Sequence, residues 1–342
     1  MRIKVLSGGR KSIELPLSDA ELNFQMKRIG IEEIVPVCRL VEASEKDNPL
    51  CKFEGQTVKM DEVNFFAKRL DCFTEYERKV LYSYVTDYGV GTMQDLINLT
   101  FSMKGLSLIT DFSDVEQVGK RLYLDEFIAI PEEEKQQTNF IKFAEKTFKE
   151  SRVEVLPYGV FVEHGFEMQE VYNGKTFPEY FASDEIVAAI EVQNQAGDTE
   201  YLYLPTDICS MNKVKERLQI MDFWELEVTD IHNLRLPDIL VPMPENIDCV
   251  EALTLFNETC QAVRHFDEVQ MKQLAMVVEF TGFSSPTEVT SLAKLLGEFE
   301  VNPFVHNDEE YGKYMGYLMW MSCCSLTSIM LPLQRTRDRG HL

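Results

Sequence analysis

The chain resembles itself. Displaced by 193 residues without a gap, Asn64 meets Asn257, Phe73 meets Phe266, Glu75 meets Glu268 and Lys79 meets Lys272. Leu81, Val85, Gly89 and Leu99 meet Leu274, Val278, Gly282 and Leu292; Glu116, Gly119 and Lys120 meet Glu309, Gly312 and Lys313. Apolar character also matches at Leu70 and Val263, Leu96 and Val289, and Leu108 and Val301. A gapless repeat of this kind suggests duplication, so one module must be able to build a core twice. Its first copy reads as helical. Val63, Phe66, Ala67 and Leu70 lie at helical spacing, Leu81, Tyr84 and Val85 continue in a second helix, and Met93, Leu96, Ile97 and Thr100 make a third stripe. Leu106–Ile109 reads as a short strand, and Ser113-Asp114-Val115-Glu116 as a capping box that opens a fourth helix.

Around the copies the pattern changes. Residues 3–7 and 12–15 suit a hairpin about Gly8-Gly9, Ser18 and Asp19 suit the cap of a helix reaching Ile29, and Glu33–Val41 suits a strand. Pro131-Glu132-Glu133-Glu134 reads as the start of a helix that carries Phe140, Phe143, Ala144 and Phe148. Strands are expected at Tyr158–Val162, Phe166–Val171, Ile186–Val192 and Tyr201–Leu204. The expectation is an elongated, multi-domain α+β protein. It has a small α/β unit over 1–50, helical modules over 51–130 and 246–320, a central antiparallel β-rich acidic domain over 131–245, and an atypical tail over 321–342.

Charge narrows the function. Of the net −23, residues 101–300 hold −21, with 16 basic and 37 acidic side chains. Such a surface repels nucleic acid and anionic membranes and attracts basic partners. The acids in view are Asp111, Asp114, Glu116, Glu132, Glu133, Glu134, Glu163, Glu167, Glu170, Glu179, Asp184, Glu185, Asp308, Glu309 and Glu310. Asp111 with Asp114, or Asp308–Glu310, suits a cation or, more simply, a helix N-terminus. The five histidines sit in no metal-binding pattern, and no phosphate loop or nucleophile elbow occurs, so no cofactor, metal or enzyme activity is expected. Eight scattered cysteines and no secretory leader suit a reducing cytoplasm. Tyr314–Leu333 lacks charge, which leaves a tail anchor or, preferably, a terminal helix. Asn98-Leu99-Thr100 and Asn257-Glu258-Thr259 match a glycosylation pattern that has no use in a cytoplasm.

Several stretches resemble a known family. They are Leu96–Phe101, Ile109–Asp114 with Gly119, Pro157–Phe161, Tyr201–Pro205 and Asp308–Tyr314. Together they resemble the long ArdA-type antirestriction proteins of conjugative mobile elements in Firmicutes, over roughly residues 55–317. The resemblance implies a DNA mimic that binds the DNA-binding cleft of type I restriction-modification enzymes. It implies no direct nucleic-acid or membrane binding, and a homodimer is left open. The chain is about twice the length of short members, and Met319–Leu342 departs from the family's acidic, aromatic end. An acidic adaptor for another basic partner is the alternative, and an enzyme with a dispersed acidic metal site is a third.

Overall fold

A computed structural model describes residues 1–7, 9–43, 48–127, 129–131, 138–179, 186–247, 250–283 and 285–299. Contacts divide the chain into two compact units: Met1–Ala182 with Asp207–Ile220, and Ser183–Thr206 with Met221–Leu342.

The first unit opens with alternating residues. In β1 (Arg2–Leu6) Ile3 and Val5 are buried while Arg2 stays out, as period two requires. β1 pairs antiparallel with β2 (Arg10–Glu14), and α1 (Asp19–Arg28) follows behind a reciprocal Ser18–Glu21 capping box. Leu22 and Met26, one turn apart, point into the core. β3 (Val37–Ala43) and β4 (Thr57–Lys59) complete a sheet of order β2-β1-β3-β4.

Three helices follow: α2 (Met60–Asp71), α3 (Glu75–Asp87) and α4 (Met93–Leu99). They bury Val63, Phe66, Ala67, Leu70, Leu81, Val85, Met93, Leu96 and Ile97, the stripes legible in the sequence. β5 (Leu106–Ile109) leads to α5 (Val115–Phe127), α6 (Phe140–Glu150), β6 (Arg152–Leu156) and β7 (Gly159–Glu163), giving a second sheet of order β5-β7-β6. Ile109, Val118, Leu122, Ala144 and Val162 form the core between that sheet and its two helices. Here α5 and α6 touch at Gly119, where a Cβ would overlap the Phe140 carbonyl.

The second unit holds β8 (Ala188–Gln193), β9 (Thr199–Leu204), β10 (Glu227–Asn233), α8 (Val250–Val263), α9 (Glu268–Thr281) and α10 (Pro286–Lys294). α7 (Ile208–Leu218), between β9 and β10 in the chain, groups with the first unit. The helices α9 and α10 start 193 residues after α3 and α4, at Glu268 and Pro286 against Glu75 and Met93. Thr74 and Asp267 cap one pair, Thr92 and Ser285 the other, each in a capping box. Both copies place the Glu–Lys ion pair at 2.6 Å, and Gly89 and Gly282 both take positive φ where their helix ends.

Similarity reaches further than the gapless match. Sheet order β9-β8-β10 repeats β2-β1-β3. Opposite Ile3, Lys4, Val5 and Leu6 lie Ala43, Glu42, Leu40 and Arg39, with a bulge between Lys4 and Val5. Opposite Ile190, Glu191, Val192 and Gln193 lie Ile231, Asp230, Val228 and Glu227, with the extra residue at the same step. After each hairpin one asparagine brackets the departing backbone. Leu17 N–H donates to Asn64 Oδ1 and Asn64 Nδ2 donates to Leu17 O, both at 2.8 Å. Asn257 does the same to Thr206, at 2.7 and 3.1 Å. The α+β class read from the sequence is therefore the class observed. The repeat partners expected for Leu108, Glu116, Gly119 and Lys120 lie outside the described residues.

Other expectations move. The strands expected within 131–245 do not form one sheet: β6 and β7 pair with β5, and β8, β9 and β10 form their own. Phe166–Val171 joins no sheet; its Gln169 and Val171 amides donate instead to Ser102, just beyond α4, and Asn98 of α4. Asp114, not Ser113, caps α5: its Oδ1 accepts from Glu116 N and Gln117 N. α6 begins at Phe140 behind an Asn139 cap, and the start expected at Glu132–Glu134 lies outside the described residues.

Buried charge also holds the first unit. Lys213 of α7 is 1% exposed, with Nζ 2.6 Å from Asp61 of α2 and 3.8 Å from Asp19 of α1. Arg217 reaches Asp61 at 3.5 Å, and Lys68 reaches Asp19 at 3.9 Å. Burial pushes the Asp61 carboxyl up, against the pull of the two cations. Lys213→Met leaves that carboxylate buried without its closest cation and should cost about 3–5 kcal/mol in urea unfolding. Adding Asp61→Leu should restore part of the loss, and a purely additive pair would contradict a coupled network. Gly119→Ala should cost at least about 1–3 kcal/mol by the same measurement, because the helices must separate.

Candidate partner-binding surface

The acids marked in the sequence have different neighbours. Asp111, Asp114 and Glu116 are exposed around the start of α5. Asp111 Oδ1 accepts from Ser113 N at 2.8 Å, and this hydrogen bond holds its carboxyl below the ordinary range. Asp114 is occupied by its cap, and Glu116 is countered by Lys120 at 2.7 Å. Glu163 is half-buried on β7. Burial, then the charge of Asp87, raises its carboxyl, and its Oε2 is enclosed without a hydrogen bond. That places Glu163 away from the exposed acidic surface.

Glu167 and Glu170 are exposed on an extended strap that crosses α4, and Glu179 beyond them is half-buried. Strap geometry is fixed by polar groups below it. Asn98 Oδ1 accepts from Val171 N and Tyr172 N at 3.0 and 2.6 Å, and Asn98 Nδ2 donates to Tyr172 O at 3.0 Å. Ser102 Oγ accepts from Gln169 N at 2.9 Å. Tyr172 is 1% exposed. Its hydroxyl donates to Glu62, and its ring stacks on Phe177, which stacks on Phe65. Gln94 Nε2 donates to Glu170 Oε1 at 3.3 Å. The strap therefore offers its carboxylates from ordered backbone. Asn98 and Asn257, which match a glycosylation pattern, both serve as internal brackets. Glu132, Glu133, Glu134, Asp184, Glu185, Asp308, Glu309 and Glu310 lie outside the described residues, as does Tyr314–Leu333.

One constellation has the outline of a hydrolytic triad that the sequence did not reveal. Ser107 Oγ of β5 lies 2.8 Å from His164 Nε2, and His164 Nδ1 lies 3.4 Å from Glu126 Oε2 of α5. Its other partners decide its role. The Ser107 hydroxyl donates to Asp125 Oδ2 at 2.7 Å, an oxygen that also accepts from Tyr76 O–H at 2.8 Å and Arg121 Nε at 3.1 Å. Ser107 is fully buried. A nucleophile needs its proton directed at the base and its oxygen open to substrate, and Ser107 has neither. The cluster instead fastens α3, β5 and α5 to the residue after β7. No local motif announces it, because Tyr76, Ser107, Asp125 and His164 come from separate elements.

Burial lowers the His164 pKa below its ordinary 6.5, against the opposing pull of Glu126 and Asp125. The native imidazole stays neutral where the unfolded one takes a proton. Stability from this site is thus complete above pH 6.5 and is lost as pH falls toward the native value. His164→Gln should flatten the acid limb of a urea-unfolding series between pH 7.5 and pH 5. An unchanged slope would remove His164 as its source.

Among the described residues, no group of three or more His, Cys, Asp or Glu could hold a metal ion. Cys38, Cys51, Cys72, Cys209 and Cys260 are in no disulfide, and burial pushes Cys38 to about 11 and Cys260 to about 12, where neither ionises readily. None of the described helices is long and apolar enough to cross a membrane. Comparison with known proteins gives no match to any family model, curated protein or solved structure.

Proposed function

We propose that the chain is an ArdA-like antirestriction protein of a mobile element. It acts in the cytoplasm as a DNA mimic that inhibits type I restriction-modification enzymes by competing for their DNA-binding cleft. The observation that carries this reading is the net −21 held by residues 101–300 within a folded α+β chain. The family resemblance supplies the direction. Duplex DNA carries one charge per about 1.7 Å of axis, so 21 excess charges correspond to about 36 Å of duplex. A restriction enzyme meets phosphate with Lys and Arg, and carboxylates on ordered backbone can meet the same side chains.

Glu167 and Glu170 on the strap support the reading, because their backbone is already fixed and binding need not order it. Asp111 adds an ionised carboxylate near the start of α5. No group in this reading performs covalent chemistry, and no metal or cofactor is called for.

The test is binding of the purified protein to a type I methyltransferase core, with duplex DNA as competitor. Affinity should fall by at least about tenfold between 50 and 200 mM salt, and DNA should displace the protein. Glu167→Gln with Glu170→Gln should weaken binding by about three- to tenfold, at about 1 kcal/mol or less per exposed charge. No binding at low salt by folded protein would move the assignment to an adaptor for another basic partner.

A further inference from the structure

The two repeats have the same fold but carry different chemistry on one sheet face. In the first repeat that face neutralises itself. Lys4 Nζ lies 2.8 Å from Glu42, and Arg2 lies 3.8 Å from Glu14 across the neighbouring strand. Register carries these positions onto the second repeat. Lys4 stands opposite Glu42 as Glu191 stands opposite Asp230, each beside the same bulge. Arg2 and Glu14 become Ala189 and Tyr203, and Ser12, opposite Lys4, becomes Tyr201, opposite Glu191. Both cations are gone, and two aromatic rings have arrived.

What replaces them is ordered. Tyr201 O–H donates to Glu191 Oε2 at 2.9 Å, and Thr229 Oγ1 donates to Glu191 Oε1 at 2.9 Å. His232 Nε2 lies 3.3 Å from Asp230, and its ring meets Tyr201 edge-on at 5.6 Å. Asp230 keeps 64% of its side chain exposed, and Glu191, Tyr201 and Tyr203 are half-buried. Among the described residues no Lys or Arg lies within ion-pair distance of Glu191 or Asp230. In the first copy Lys4 brings a cation to this cross-strand pair, whereas in the second both members are acids.

We propose that the outer face of the β9-β8-β10 sheet is a docking site for an arginine side chain of a protein partner. The guanidinium supplies from outside the chain the positive charge that Lys4 supplies in the first repeat. Glu191 and Asp230 accept its N–H groups, and the faces of Tyr201 and Tyr203 cover its plane. Arginine is favoured over lysine because a planar, weakly hydrated fork can bond carboxylates and stack on rings at once. The proposal deepens the reading above and takes from it only that the partner is basic.

The test titrates the full chain with a hexa-arginine peptide and follows backbone amide shifts. Shifts should concentrate on β8, β9 and β10, and hexa-lysine should bind several-fold more weakly. Glu191→Lys copies the arrangement that folds in the first repeat, so it should fold, close the site and weaken binding by about tenfold or more. Glu227→Lys makes the same charge change on β10, where the first repeat has Arg39, and should weaken binding by no more than about twofold. Glu191→Gln keeps the volume, removes one acceptor charge and should fall between them. Equal losses for the two lysine variants, or shifts spread over the strap and the start of α5, would overturn the proposal. The peptide result stands apart from methyltransferase binding, so a failed function and a failed site give different outcomes.

Discussion

Each repeat depends on one side-chain amide. Asn64 and Asn257 project from α2 and α8 and bond both backbone groups of a residue that leaves the hairpin, Leu17 or Thr206. At that point the chain is neither strand nor helix, so its N–H and C=O have no ladder to join. A buried peptide group without a partner costs on the order of 1–3 kcal/mol. Asparagine alone among small side chains offers a donor and an acceptor side by side. The bracket therefore ties the sheet to the helices within each copy. Its recurrence is what makes the two copies the same structure, beyond two helical stretches with similar periodicity.

The same device places the strap. Asn98 binds Val171 and Tyr172 as Asn64 binds Leu17, and Tyr172 and Phe177 anchor the segment beneath. A strand there would have directed alternate side chains into a sheet. The bracketed chain leaves Glu167 and Glu170 exposed, above a floor that is already packed.

Acidity in this protein serves three ends that composition cannot separate. Asp61 is buried and Asp19 half-buried against Lys213, Arg217 and Lys68. Asp114, Asp207 and Asp267 cap helices and satisfy their first amides. Others, such as Glu167, Glu170 and Asp230, are exposed to solvent. The copies differ at one exposed face, where Lys4 and Arg2 of the first stand against Glu191 and Ala189 of the second.

The sequence by itself determined the local elements. Helical stripes at Val63–Leu70 and Leu96–Thr100, the Ser18 cap, and alternation in β1 and β9 depend on neighbours three, four or two residues away, and so were legible. It also determined the net charge and the helical half of the repeat, where α9 and α10 keep one spacing from α3 and α4. The ββαβ half was hidden because its loops differ in length. Three residues separate Leu6 from Arg10, five separate Gln193 from Thr199, and a gapless comparison loses register there. Tertiary structure alone decided which acids are buried, which strands share a sheet, and that Ser107, Asp125 and His164 meet. Those outcomes rest on contacts between residues tens to hundreds of positions apart, and no local pattern encodes such a distance.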